Sequence, residues 1–296
     1  MRENFSIRLI SINEIPEVTN WARLEGFSPG MDDLSIYRNT DKQGVWVACL
    51  DNNPIGSIAC IKYNSSYGFI GLFIVKKEFR NNGYGVRLWK HALEYLKNVD
   101  CIGLEAAPDR LNDYAKWGFR KSSITNRWKL NGSQNLPLRN FYKDQFHSFK
   151  VVPGNKISSE AVLIYDDQRE PSPRPHFLND WLKNSHGNVS AIVDNNGMCH
   201  GFGRIRPCVL EDNEQGWRIG PLLADTPPLA ELLIRELVGE LDAQILLDCS
   251  NLNPYANYLL SSLGFEEISK TYRMYKGIQP SCPMNQVYGL ACLELG

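Results

Sequence analysis

The sequence predicts an α+β protein made of two copies of one unit, and three observations carry that reading. Short matched segments recur in the same order at a spacing of roughly 145 residues. Each copy has an Asn-rich turn between two strand-like runs, the mark of a β-hairpin. In the first copy an apolar strand passes through a basic, Gly-containing turn into an amphipathic helix, so strands and helices share one unit.

The hairpins come first in each copy. Asp51-Asn52-Asn53 separates residues 45–50 from 55–62, and Asp194-Asn195-Asn196-Gly197 separates 189–193 from 201–205. Further on, Gly68-Phe69-Ile70-Gly71 is echoed by Gly216-Trp217-Arg218-Ile219-Gly220, and Gly103-Leu104-Glu105 by Leu246-Leu247-Asp248. Gly118-Phe119 returns as Gly264-Phe265, and Thr125-Asn126-Arg127 as Thr271-Tyr272-Arg273. One such pair could arise by chance; an ordered series does not. The shared pattern is strand, one or two helices, hairpin, strand, helix, strand, helix, strand. The first copy spans residues 1–135, ending in the polar run Asn131-Gly132-Ser133-Gln134-Asn135, and the second spans 148–296. Pro171-Ser172-Pro173-Arg174-Pro175 leads into a helix over 177–183 inside the second copy.

Composition narrows the function classes. The 296 residues suffice for two ordinary domains, and 43% apolar with 22% charged residues is normal for a globular chain. With 32 basic against 33 acidic residues, no electrostatic footprint for nucleic acid or an anionic membrane exists. No apolar run approaches a membrane span, and Met1-Arg2-Glu3-Asn4-Phe5-Ser6 lacks a signal peptide's apolar core. The eight cysteines form no Cys-x-x-Cys and the five histidines show no metal spacing, so reduced thiols in a cytoplasm and no metal are expected. Cys199-His200 are neighbours on a strand and point to opposite faces, which excludes them as a proton-sharing pair. Most of the tryptophans fall on apolar faces and belong to the core; Trp21 and Phe27, either side of Glu25, are candidates for an acceptor pocket.

The chemistry concentrates at residues 69–96. After the apolar strand and the charged turn Lys76-Lys77-Glu78-Phe79 comes Arg80-Asn81-Asn82-Gly83-Tyr84-Gly85, and then a helix over 86–96. The free N–H groups of a first helical turn and the helix dipole both favour an anion. Glycines let the backbone approach that anion closely. A diphosphate is the natural occupant. A dinucleotide fingerprint needs a third glycine, and Leu88 stands there instead.

Arg-x-x-Gly-x-Gly following a strand resembles the pyrophosphate loop of the GCN5-related N-acetyltransferases (GNAT). The order of elements in both copies is similar to that family's as well, so the resemblance covers nearly the whole chain. It looks like a tandem acetyltransferase of bacterial type. Glu25-Gly26-Phe27-Ser28-Pro29-Gly30 with Asp32, Ile219-Gly220-Pro221-Leu222 and Arg273-Met274-Tyr275 are similar to one such subgroup. The resemblance implies α/β/α layering, each copy a mixed, mostly antiparallel central sheet flanked by helices. It implies acetyl-CoA as co-substrate and a small-molecule or peptide amine as acceptor.

The resemblance also assigns residues. The backbone of Phe73, Ile74 and Val75 is expected to pair with the pantetheine arm, one N–H polarising the thioester carbonyl as an oxyanion hole does. Arg80, Asn81, Asn82, Gly83, Tyr84 and Gly85 are expected to hold the diphosphate. Tyr114, four residues before Gly118-Phe119, fills the place of the family's leaving-group acid; a phenol of pKa near 10 can protonate a departing thiolate. Glu105, at the end of the neighbouring strand, is the expected base, because strand-end residues are held firmly. Glu25, Phe27 and Asp32 are expected around the acceptor, where acidic groups suit a cationic amine.

Departures from the family pattern divide the copies. Ala107 stands in the first where an Asn often contacts pantetheine. The second keeps Asn253 and Ala256 but has Leu260 in the tyrosine's place. Its turn, Ala224-Asp225-Thr226-Pro227-Pro228, adds a negative charge and removes backbone donors. The second copy is therefore expected to be degenerate, shaping the acceptor site or stabilising the first. The leading expectation is an N-acetyltransferase active in the first copy; the alternative is a non-catalytic acyl-CoA-binding or sensing protein. Pairing of the two copies would satisfy the interface that single-domain relatives use for dimers, so a monomer is expected.

Overall fold

The structure, a computed structural model, describes residues 4–137 and 147–296. Met1, Arg2 and Glu3, and most of the expected join between the copies, lie outside the described residues. The first copy runs β1 (Phe5–Leu9), α1 (Ile15–Leu24), α2 (Asp33–Thr40), β2 (Val45–Leu50), β3 (Asn53–Lys62), β4 (Tyr67–Val75), α3 (Tyr84–Tyr95), β5 (Cys101–Ala106), α4 (Leu111–Ala115) and β6 (Arg120–Asn131). The second runs β7 (Phe149–Pro153), α5 (Ser159–Asp167), α6 (Pro175–Lys183), β8 (Asn188–Asp194), β9 (Cys199–Val209), β10 (Gln215–Ala224), α7 (Pro227–Val238), β11 (Gln244–Ser250), α8 (Ala256–Ser262) and β12 (Glu266–Gly277). One further short strand, β13 (Val287–Gly289), follows.

Alternation along the strands builds three layers. On β2, Val45, Val47 and Cys49 pack beneath α1 and α2, while Trp46, Ala48 and Leu50 face the core that holds Leu88, Trp89 and Ala92 of α3. The second copy repeats the arrangement, with α7 and α8 on one face and α5 and α6 on the other. Phe177 and Trp181 of α6 sit in the α1–α2 core, so the copies share packing as well as pattern.

All thirteen described strands belong to one sheet, and its order is β1-β2-β3-β4-β5-β12-β6-β11-β10-β9-β8-β7, with β13 on β10. Only β4–β5 and β10–β11 are parallel pairs. The last strands of the copies are exchanged. β12 pairs with β5, and β6 pairs with β11. The repeat explains the ease of the exchange: β6 and β12 carry matching segments, so each fits the slot of the other. It also produces two reciprocal ion pairs across strands. Arg273 stands opposite Glu105 and bonds it at 2.6 Å. Arg127 stands opposite Asp248 and grips it with Nε at 2.7 Å and Nη2 at 3.0 Å.

Both parallel pairs part early. β4 stays in register with β5 only from Tyr67↔Cys101 to Ile70↔Leu104. β10 stays with β11 only from Trp217↔Ile245 to Ile219↔Leu247. The chain after β12 crosses both partings. A Cβ on Gly220 would lie 2.2 Å from the Leu290 carbonyl oxygen, and one on Gly71 would lie 2.0 Å from that of Glu294. These equivalent glycines leave room for the passing segment.

Buried arginines of the second copy hold the first. Arg206 of β9 clasps Asp33 with Nε at 2.9 Å and Nη2 at 2.8 Å, and all are buried. Burial alone would raise the Asp33 pKa, but Arg206 outweighs it and holds the carboxyl below the usual range. All eight cysteines are free thiols; burial raises Cys101, Cys199 and Cys208 to about 11, as expected of small hydrophobes.

Two outcomes follow from this interlocking. Cleavage at a protease site engineered between residues 138 and 146 should leave halves that co-elute on size exclusion, because each supplies the other's central strand; separation in native buffer would refute the exchange. Asp33→Asn should lower unfolding free energy by about 3–5 kcal/mol in urea titration, because Arg206 is left buried with no charge partner.

Candidate active site

The residues expected to face a cofactor, Phe73 to Val75 and Arg80 to Gly85, lie along the end of β4 and the turn into α3. Past Ile70, β4 is held on one side only, by β3 through Ser57↔Ile74 and Gly56↔Val75. Leu72 takes φ 47° there, and its carbonyl accepts from Ser57 Oγ at 3.1 Å. The register with β3 shifts at this point, so Phe73, Ile74 and Val75 continue as a strand turned away from β5. That leaves a strand edge beside β5, the arrangement to which an extended ligand adds itself as a strand.

Directly after it, Asn81 and Gly83 take φ 64° and 80°, which turns the chain into α3. Gly83 is the N-cap of α3, no side chain caps that end, and its first turn carries no acidic residue. The leading N–H groups of a helix have no intrahelical acceptor, so this end suits an anion. Arg80 does not point outward as a free cation. Its Nε donates to the Val75 carbonyl at 2.8 Å, and its Nη2 donates to Glu25 at 2.6 Å. Asn82 braces the same turn through the Arg80 carbonyl at 3.1 Å, and Tyr84 stacks on Phe5 with centroids 5.3 Å apart. Arg80 thus shapes the turn rather than facing out of it.

Tyr114 lies on α4 in a cluster of three rings, with Trp89 at 5.1 Å and Phe119 at 6.4 Å between centroids. Burial pushes its phenol up to about 12. It therefore keeps its proton at neutral pH.

Glu105 differs from the expectation. It is buried, and its carboxylate accepts from Arg273 at 2.6 Å, Thr125 Oγ1 at 2.9 Å and Thr271 Oγ1 at 2.8 Å. Both oxygens are engaged. It is the counterpart of Asp248 in the exchanged strands, and its place in the geometry is structural.

The loop between α1 and α2 is held by residues of β6, β9 and β10. Arg127 Nη1 donates to the Gly26 carbonyl at 3.0 Å; Arg218 Nη1 donates to Phe27 and Ser28 carbonyls at 3.1 and 3.2 Å. Val209 N donates to the Pro29 carbonyl at 3.0 Å. Of the expected acceptor residues, Phe27 packs on the α1–α2 core, Glu25 goes to Arg80, and Asp32 turns to Asn184 at 3.1 Å and to His186. Glu25 and Asp32 are thus spent on ties rather than gathered at an open acidic mouth. Trp21 is buried under Lys76, whose ammonium sits 5.4 Å from the ring centre. Sequence reading missed Arg206, Arg218 and Glu294. Arg204-x-Arg206 and Arg218 inside apolar strands were the available signal, since buried charges demand partners.

The matching place in the second copy is filled. β13 pairs with β10 at Leu222↔Gly289 and Leu223↔Val287, and Leu290 N donates to the Asp248 carbonyl at 2.8 Å. Asn253 donates to the Val287 carbonyl at 3.0 Å. Where α7 begins, two prolines occupy its first turn. Asp225, just before them, accepts from Tyr165 at 2.7 Å and Arg169 at 2.8 Å and pairs with His200 at 2.8 Å.

Comparison with known proteins agrees with this geometry. Residues 12–119 match the model of the acetyltransferase (GNAT) family, and residues 162–289 match that of an acetyltransferase (GNAT) domain. Holothin acyltransferase of Pseudoalteromonas sp. (strain SANK 73390) is 25% identical over 288 residues, 97% of this chain and 92% of that one. A Pyrococcus horikoshii structure assigned to the acetyltransferases superposes with TM-score 0.78 at 22% identity, covering 99% of this chain and 96% of its own. A tandem GNAT protein from the clavulanic acid biosynthesis pathway gives TM-score 0.64 at 13% identity, over 95% of this chain and all of that one. Among the described residues no helix is long and apolar enough to cross a membrane. With a GNAT match in each half and the interleaved sheet between them, this chain belongs to the GCN5-related N-acetyltransferases, as a tandem-domain member.

Proposed function

We propose that the chain is an acetyl-CoA-dependent N-acetyltransferase whose N-terminal copy, residues 1–135 in sequence, carries the reaction to a primary amine. The observation that carries this is the contrast between the partings: β4 past Ile70 has no strand on its β5 side among the described residues, whereas β10 is paired with β13. The second copy, residues 148–296, acts by holding the acceptor loop and binds no acyl-CoA of its own.

Acetyl-CoA supplies the activated acyl group, and the residues present fit it. The strand at Phe73, Ile74 and Val75 would align the pantetheine arm and donate to the thioester oxygen. The turn from Arg80 to Gly85 and the first turn of α3 would hold the diphosphate. Tyr114 would give its proton to the departing sulfur. The relative's name makes holothin the first acceptor to test. Engagement of Glu105 favours one element of the alternative reading, a non-catalytic acyl-CoA sensor, since it removes the expected base.

Calorimetry with acetyl-CoA should give one site per chain. Gly83→Val with Gly85→Val should weaken it roughly 100-fold, the loss of about two hydrogen bonds to a charged group; two sites would disprove the inert second copy. Tyr114→Phe should bind acetyl-CoA normally yet lower kcat by about 10²- to 10⁴-fold. Unchanged turnover in that variant would remove Tyr114 as the acid, and absence of turnover in the unaltered protein with holothin and a panel of amines would favour the sensor.

A further inference from the structure

Glu294 brings a carboxylate from the segment after β13 into the first copy, where it is 4% exposed. Its Oε2 faces the Tyr37 hydroxyl at 3.4 Å. Its Oε1 has no hydrogen-bond partner. Arg218 Nη1 is 3.7 Å away and is already donating to two backbone carbonyls of the acceptor loop. A buried carboxylate oxygen without a donor is costly, and a donor reaching it is held strongly.

That side chain lines a cavity of ≈ 10 Å³, room for about one water-sized group. Val18, Ala22 and Leu34 give it apolar walls, and Leu72 closes it on the side of β4. Thr19 also lines it, and Thr19 Oγ1 is a second buried oxygen with no partner. Asp33, the other carboxylate of the wall, is taken by Arg206 and by the Gly30 N–H at 3.0 Å. The wall thus carries two residues, Glu294 and Thr19, each with a side-chain oxygen that accepts no hydrogen bond, together with Tyr37, beside the point at which β4 parts from β5.

We infer that this cavity seats the primary amino group of the acceptor, entering as its ammonium, and that Glu294 selects it. The inference rests on the acetyltransferase reading and adds the residue and the amine class. An ammonium head has three N–H donors for three oxygens. The volume admits the nitrogen with its hydrogens, the one carbon that bears it staying outside, so amines with a second substituent on nitrogen are excluded. The selecting carboxylate comes from the second copy's end of the chain, which gives that copy a direct part in acceptor choice.

The test uses the full chain, with methylammonium chloride as probe and tetramethylammonium chloride as the matched salt. Methylammonium should raise Tm saturably above the matched salt. Glu294→Gln should weaken that response roughly 10- to 100-fold, and Thr19→Val should weaken it less. Acetyl-CoA calorimetry on the same variants should be unchanged. Equal responses to the two salts would mean a water-sized void only and would overturn the inference, as would a full response in Glu294→Gln. If Glu294→Gln does not fold, Thr19→Val decides: a weakened response supports the seat and an undiminished one refutes it. Failure of acetyl-CoA to bind the unaltered protein would refute the proposed reaction, while the methylammonium response would still decide the seat.

Discussion

The exchange of β6 and β12 is the constraint on which the rest of the molecule depends. Each strand lies at the centre of the common sheet, so neither copy closes its sheet with its own last strand. Two reciprocal pairs, Arg273 with Glu105 and Arg127 with Asp248, fix the exchange in register. A one-residue slip would turn every side chain of a strand to the wrong face and bury these four charges without partners. The exchange therefore welds the copies, and residues that chemistry needs in one place can come from distant parts of the chain.

Buried charge is weak evidence for stability, because desolvation offsets much of the Coulomb attraction. Its value here is geometric. Arg127 and Arg218 share Asp248, and each still has an Nη1 free to hold the acceptor loop by its backbone carbonyls. Backbone grips hold a loop's path while leaving its side chains open to change. The second copy thus forms a rigid wall for the loop between α1 and α2.

Local chemistry was legible in the sequence; pairing was not. The strand-turn-helix at residues 69–96 could be read because its signal is contiguous: β4, the turn with positive φ at Gly83, and α3 appear as expected. The repeat was legible too, and with it the strands. The repeat could not say which β6-like strand goes to which copy, since the two are alike by construction. Glu105 looked like a free base for that reason. Its partner Arg273 is 168 residues away and belongs, in sequence, to the other copy. Asp32 read as part of an acidic acceptor mouth, yet it turns outward to His186 while its neighbour Asp33 is buried on Arg206.

The two partings differ in what fills them. In the second copy the groups that would meet a ligand meet the chain itself: β10 takes β13, and Asn253 holds the Val287 carbonyl. The segment that fills this gap runs on past Gly220 to Gly71 and ends its course against the first copy. Filling one site and furnishing the other are therefore consequences of a single stretch of chain. A change that loosened β13 would open the second parting and withdraw Glu294 from the first together. This coupling ties the strand geometry of the second copy to the placement of Glu294 in the first.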